Sequence, residues 1–398
     1  MTHRPIGPTR NRRPRQGGFF YVLSLGFVLV LTMTAGSLLM RGISTTNLSE
    51  RSLRQSQSLQ LAESGVDHAA FALRTDSLSL GTTNAGAGSY TIQSTETLND
   101  GSRQVTVRGV SAGDARRVEA IIRLTPASVF QHALFGNNGV TVSGSAETDS
   151  YDSRSGLYND PANKSHNGNI GTNSTASGGI AVSGSIFVDG QMTVGPSAAN
   201  PESLVTGFNS SFVTGGTSPA SNGNDVISMG STLPMPPVTV PGGLTCNDAT
   251  INGNETTTLA PGTYCYRNLT IEGNGDLTTN GSGQVTVYLT GVMVAKGNSV
   301  VGYAPNPKQM IFLMAPTADA TIEQGTMTGS TRFYGALYGP GSTINITGNA
   351  QIYGSIIGQT VNVSGSAEVH YDKALEESTV VGGIYTTRII AWRDLDSQ

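Results

Sequence analysis

The chain has 398 residues, 23 basic against 27 acidic, with only 13% charged and 6% aromatic residues and as many as 51 glycines. Five of the basic residues (Arg4, Arg10, Arg12, Arg13 and Arg15) stand at the very start, so the rest carries 18 basic against 27 acidic residues, about −9. A balance of that sign disfavours nucleic acid as a partner, because such binding draws its affinity from neutralised phosphates.

After the basic leader comes an uncharged stretch, Gly17 to Met40, within which Phe19 to Met40 supplies 22 predominantly apolar residues. A helix rising 1.5 Å per residue needs about 20 such residues to cross the hydrocarbon core. The run is too long for the apolar region of a cleaved signal peptide, which is about 7–15 residues. No acid precedes Glu50. The excess of arginine on one flank therefore predicts a leader (1–18) left in the cytoplasm, a transmembrane helix (19–40) and the remainder sent across the membrane.

The helix is predicted to continue over 41–75. Leu59, Ala62, Val66, Ala69 and Leu73 recur at spacings of three and four, drawing one apolar stripe that needs a partner surface. Ser77 to Ser89 reads as a connection. Three short alternating runs follow, at Tyr90–Ile92, Val105–Val107 and Val118–Leu124, with turn signals at Asn99-Asp100-Gly101 and Ala112-Gly113-Asp114. They predict a small antiparallel sheet over 76–125 whose apolar face covers the helix stripe.

Two features of this region carry a resemblance. The leader ends Gln16-Gly17-Gly18 directly before Phe19-Phe20, and the helix holds an arginine-glutamine stretch with the step Ala62-Glu63-Ser64-Gly65. Over about residues 15–74 this resembles the prepilin signal and N-terminal helix of minor pilins and pseudopilins of the type IV pilus superfamily, in particular the PilX-type minor pilins. The resemblance implies a helix packed on a small sheet, and cleavage between Gly18 and Phe19 by a prepilin peptidase. It further implies an inner-membrane location before assembly, and other pilin or pseudopilin subunits as partners. One departure stands out: the family's glutamate at the fifth mature position is here Leu23. An unpaired carboxylate in an apolar bundle is costly, so its absence argues against a major, repeating subunit.

From 126 onward internal repetition dominates. Val140-Thr141-Val142-Ser143-Gly144-Ser145-Ala146-Glu147 returns as Val361-Asn362-Val363-Ser364-Gly365-Ser366-Ala367-Glu368, and a Tyr-Asp pair follows each copy (Tyr151-Asp152, Tyr371-Asp372). Shorter copies occur at Ile180–Ser185 and Ile344–Asn349, and Phe333–Gly339 is echoed at Ile352–Gly358. Three-residue β-branched pieces at a period of 17 to 19, with Gly or Asn at the corners, predict a parallel β-helix that stacks its strands in register. Disorder is the rival reading of the glycine content, but disordered chains lack Val/Ile pairs at fixed period. The fold class expected is thus mainly β: a long transmembrane helix on a small antiparallel sheet, then a parallel β-helix solenoid. The two octapeptide copies and the closing Ala391-Trp392-Arg393 resemble the C-terminal β-helical domain, of unestablished role, of pilus-associated bacterial proteins. A weaker similarity is to bactofilins, which polymerise through β-helical coils.

The solenoid is divided into a first part (126–195), a Pro/Gly/Ser-rich excursion (196–243) and a second part with a C-terminal cap (244–398). The excursion ends in spaced prolines, Leu233 to Pro241, and is expected to lie along the outside of the solenoid. Its end coils are expected under the Val129–Phe135 region and the Ile384–Trp392 strand. Cys246 and Cys265, 19 apart and beyond the membrane, are candidates for a disulfide, with a pair of buried thiols as the alternative.

Catalytic signals are weak. His3, His68, His132, His166 and His370 are scattered, and no nucleophile elbow is present. Asp149, Asp152, Asp160 and Arg154 form an acidic cluster read as solvated loop, and Glu272-Gly273-Asn274-Gly275-Asp276 is a faint calcium pattern. Neither a cofactor nor an enzymatic activity is expected. The sequence reading is a structural protein, a minor pilin or pseudopilin displaying a β-helical head for adhesion or interaction, with a surface or glycan ligand as its open partner. The alternatives are a membrane-anchored polymerising scaffold and a surface carbohydrate-active β-helix enzyme, which an acidic groove on the solenoid would favour.

Overall fold

The computed structural model describes residues 17–159, 161–209, 213, 225–323 and 331–396. The chain divides into two compact units, one comprising residues 1–70, 79–123 and 389–398, the other residues 71–78 and 124–388.

In the first unit, α1 (Gly17–Ala72) runs as one helix whose residues from Phe20 to Arg54 are all exposed. Ala62, Val66 and Ala69 are buried against a sheet of β1 (Gly81–Ala85), β2 (Gly88–Thr97), β3 (Arg103–Ser111) and β4 (Asp114–Pro126), paired antiparallel in that order. The buried side of the sheet is the alternating set Tyr90, Ile92, Val105, Val107, Val118, Ala120 and Ile122. Gly65 explains the Ala-Glu-x-Gly step: a Cβ there would stand 2.5 Å from Val107 and 2.8 Å from the Tyr90 ring, so helix and sheet meet only because it is glycine. Two strands differ from the sequence reading. The expected connection 77–89 contains β1, and the C-terminal strand joins this sheet beside β4 instead of capping the solenoid.

The second unit is a stack of parallel rungs. β5 (Leu134–Gly144) and β6 (Glu147–Tyr151) make one coil. β7 (Ile170–Thr172), β8 (Ile180–Gly184) and β9 (Phe187–Val188) make the next, followed by β10 (Met192–Val194), β11 (Val205–Thr206) and β12 (Val226–Ser228). Beyond residue 246 come β13 (Asn247–Ile251), β14 (Thr256–Leu259), β15 (Gly262–Ile271), β16 (Asp276–Thr279), β17 (Val285–Leu289) and β18 (Val292–Lys296). The series ends with β19 (Val300–Gly302), β20 (Met310–Met314), β21 (Asp319–Glu323), β22 (Arg332–Thr347), β23 (Gln351–Val363) and β24 (Glu368–Asp372), while β25 (Tyr385–Asp394) is the fifth strand of the small sheet. Their apolar side chains point inward into one continuous core from Val226 and Met192 to Ile251 and Leu259.

Chain order is not stacking order. β5 pairs with β23 on one side (Val140↔Val361, Val142↔Val363) and with β7 and β8 on the other, and β6 pairs with β24 (Glu147↔Glu368). The first coil of the chain therefore sits in the middle of the stack, directly on the last. The four copies of the Val-x-Val-Ser-Gly-type repeat, at Ile344, Val361, Val140 and Ile180, are four consecutive rungs. This corrects the expected capping by Val129–Phe135: among the described residues, the end strands, paired on one side only, are β13 and β14 at one end and β11 and β12 at the other. The excursion is also shorter than read from composition, since β11 and β12 within 196–243 still stack on β8 and β10.

One flank of the stack turns apolar residues outward, among them Phe135, Ile311, Leu313, Tyr338 and Ile357. Val129, Phe130, Val238, Leu375, Val381 and Ile384 cover them. Val238 belongs to the proline-rich strap, which is fastened by Tyr338 donating to Pro236 O at 2.6 Å and by Asn173 exchanging two hydrogen bonds with the backbone of Leu233.

Candidate functional site

The richest chemistry lies on the flank built by β6, β24 and the first residues of β22 and β23. Alternation along parallel rungs sends every second side chain outward, and strict register lines them up in columns. One column holds Arg332, Gln351, Glu368 and Glu147; the next holds Tyr334, Tyr353, His370 and Asp149. The Tyr334 and Tyr353 rings are stacked at 4.6 Å, Tyr353 lies 4.8 Å from the His370 ring, and Tyr158, from the segment after β6, covers His370 at 3.9 Å.

At the centre is Asp149, wholly buried. It accepts from His370 Nδ1 at 2.7 Å and from the Tyr158 hydroxyl at 2.7 Å, and Lys164 Nζ stands 3.2 Å away. Lys164 also donates to Glu147 at 3.0 Å, and His370 Nε2 lies 3.5 Å from Glu368, which in turn accepts from Gln351. A buried charge is tolerated only when paired and hydrogen-bonded, and here each is. The electrostatics follow. Burial lowers the pKa of His370, but its hydrogen bonds to Asp149 and Glu368 outweigh that, and the result lies above the ordinary histidine value. The hydrogen bond from His370 holds Glu368 below the usual carboxylate range. Lys164 loses to burial and gains more from Glu147 and Asp149, ending above an ordinary lysine. Burial pushes Tyr353 up to about 12.

This corrects the reading of Asp149 as loop solvation. Asp152 does lie toward solvent, where Arg154 joins it to Glu377, while Asp160 lies outside the described residues. The histidines that looked scattered all have partners where described: His166 meets Asp189 at 2.6 Å, His132 meets Thr193 at 2.9 Å, and His68 meets the Tyr90 hydroxyl at 3.0 Å. Burial drives His132 down to about 4. His3 lies outside the described residues.

The calcium pattern is spent on the stack: Glu272 pairs with Lys296 at 3.1 Å, and Asp276 accepts from the Val300 amide at 3.0 Å. Among the described residues no group of three or more His, Cys, Asp or Glu is placed to hold a metal. Cys246 and Cys265 are joined as a disulfide with Cα atoms 4.6 Å apart, tying the end of the strap to β15. Gly18 and Phe19 fall in the first turn of α1, and the leader before Gly17 lies outside the described residues.

The sequence reading missed His370, Tyr353, Tyr334, Glu368, Lys164 and Tyr158 as a group. The signal was present: aligning the two octapeptide copies at Glu147 and Glu368 sets Asp149 on His370 two residues later. The following Tyr-Asp pairs misled, because they are one residue out of register. Ser150 faces Tyr371 and Tyr151 faces Asp372, so Tyr371 points into the core and Tyr151 joins the outer rings.

Residues 266–378 match a family described as a domain of unknown function, DUF7305. No curated protein matches. Among solved structures, a competence-associated pilin, ComZ, from Thermus thermophilus is similar at 12% identity, with a TM-score of 0.33, over 86% of this chain and 97% of that one. An ice-binding protein from an Antarctic biological consortium is similar at 12% identity and a TM-score of 0.35, over 62% and 91%. A glycosylated ice-binding protein from an Arctic yeast is similar at 16% identity and a TM-score of 0.34, over 63% and 95%.

Proposed function

We propose that the protein is a membrane-tethered, pilin-like structural subunit that carries a β-helical head outside the inner membrane. The observation that carries the reading is α1, whose apolar residues from Phe20 to Met40 are exposed and whose later turns bury Ala62, Val66 and Ala69 on a small antiparallel sheet. Exposed apolar surface on that scale is stable only in a bilayer or among the apolar helices of other subunits. The absence of an acid at Leu23 fits a minor or initiating subunit better than a repeating one.

The head is read as a contact surface, not a catalyst. The carboxylates gathered on the β6–β24 flank are engaged by His370, Lys164 and Gln351, an arrangement that positions side chains and leaves no free acid–base pair. The exposed parts of Arg332, Gln351, Glu368 and the two stacked tyrosines are the groups available to a glycan or protein ligand.

The test is the mature N-terminus together with location. Intact-mass analysis should find a chain beginning at Phe19, and Gly18→Arg should leave a longer precursor in the membrane. Shearing cells should release the wild type, but not this variant, with a fibre fraction. An intact leader and full retention in the membrane after shear would leave a plain membrane anchor instead.

A further inference from the structure

The pairing of β24 with β6 is the place where the two parts of the solenoid, 221 residues apart at Asp149 and His370, are closed on each other. Elsewhere neighbouring rungs add side-chain bonds to their ladders at exposed or half-exposed positions, such as Arg267 with Asp248, Lys296 with Glu272 and Asn362 with Asn345. This seam adds a buried ionic joint: His370 on the last coil, 4% exposed at its side chain, bonds Asp149 on the first coil, 0% exposed. We propose that this joint is a proton-dependent latch, in which protonated His370 ties the first coil to the last and its deprotonation loosens the seam while the rest of the stack is unaffected.

The groups around His370 set the sign. β6 contributes Glu147 and Asp149, and β24 contributes Glu368 on the same face and, two residues on, Asp372, whose carboxylate accepts from the Ser153 and Ala374 amides. β23 contributes the Tyr353 ring, and the segment after β6 contributes Tyr158 and Lys164. In the next coil Asp189 faces His166. With His370 protonated, two cations face the three carboxylates Glu147, Asp149 and Glu368. Without that proton, Lys164 alone faces three.

Folding raises the pKa of His370 above its reference of 6.5. A raised value means that the latch contributes fully below about pH 6.5 and is lost as pH climbs through the folded value. Each unit of elevation corresponds to about tenfold in the closing equilibrium. The latch is therefore closed in a mildly acidic exterior and relaxes toward alkaline pH. Tyr158, which lies flat on the imidazole, should loosen with it.

Hydrogen exchange of the full-length protein in detergent micelles reads this directly. After correction for intrinsic rates, protection of 147–151 and 368–372 should fall severalfold relative to 285–289 between pH 5.5 and 8.5. In His370→Gln the ratio should be flat with pH, and in His166→Gln it should still fall. A constant ratio in the wild type, or an equal fall in His370→Gln, would overturn the proposal. Should His370→Gln fail to fold, exchange at the imidazole C2 of His370 in the wild type decides: a midpoint above 6.5 supports the latch, and one at or below 6.5 overturns it.

Discussion

The glycines of the repeat form a ladder whose cost can be tested at two rungs. Gly365 and Gly144 sit at the same corner of neighbouring coils with φ of 89° and 91°, above Gly348 and below Gly184. A Cβ on Gly365 would stand 2.5 Å from the Gly348 carbonyl oxygen and 2.9 Å from its amide nitrogen, both backbone atoms that cannot swing away. Gly253 occupies the same corner in the end coil with φ of 65°, yet a Cβ there meets nothing within 4 Å because, among the described residues, no coil lies beyond it. An L-residue in left-handed backbone costs about 1–2 kcal/mol. Forcing an extra carbon into packed surroundings adds about 1–3 kcal/mol. Gly253→Ala should therefore lose about 1–2 kcal/mol and Gly365→Ala about 2–5 kcal/mol. Urea titrations of the full chain, followed by the β signal in circular dichroism, should show midpoints falling in that order. Equal losses would mean that φ alone governs the corner and that the stacking of coil on coil at Gly348 is wrongly assigned.

Three further outcomes follow from named contacts. Replacing Cys246 and Cys265 by Ser, or reducing the wild type, should cost about 3 kcal/mol because the bridge closes a short loop; thiol alkylation without reduction should label neither cysteine. Tyr338→Phe removes a buried donor to Pro236 and should cost about 1 kcal/mol, with faster proteolysis confined to the strap from 229 to 245. Deleting 385–398 should raise hydrogen exchange in β4, which loses its neighbour in the small sheet, and leave β17 unchanged; the reverse pattern would return β25 to the role of solenoid cap.

The material of the solenoid was legible because its physics is local. Short Val/Ile runs with glycine corners specify a rung, and a fixed period specifies stacking. Order along the stack is a different matter, since the edge of any rung can accept any other of matching register. The strongest resemblance in the chain, Val140–Glu147 to Val361–Glu368, joins segments 221 residues apart and marks direct neighbours; in-register contact puts both under the same packing constraint. Taking the copies as a list in chain order, not as a stack, hid the seam and with it the meeting of Asp149 and His370.

The C-terminal strand was misplaced for a related reason. Tyr385–Asp394 follows the solenoid in sequence, and the Ile384–Trp392 stretch was expected to cover an apolar end. The charges around it specify something else. Arg116 pairs with Asp394 at 3.4 Å, Arg117 with Asp396 at 2.8 Å and Glu119 with Arg393 at 2.8 Å. Two basic residues and one acidic residue of β4 are thus each met by an opposite charge on β25 or just past its end, and opposite charges across neighbouring strands favour one pairing over others. A cap for the last coil would have needed its apolar side chains buried, whereas Ile389, Ile390 and Trp392 remain 38%, 40% and 45% exposed. Exposed apolar side chains on an edge strand are a surface for another chain to pair with. The C-terminal strand is therefore better understood as completing the small antiparallel sheet than as closing the β-helix.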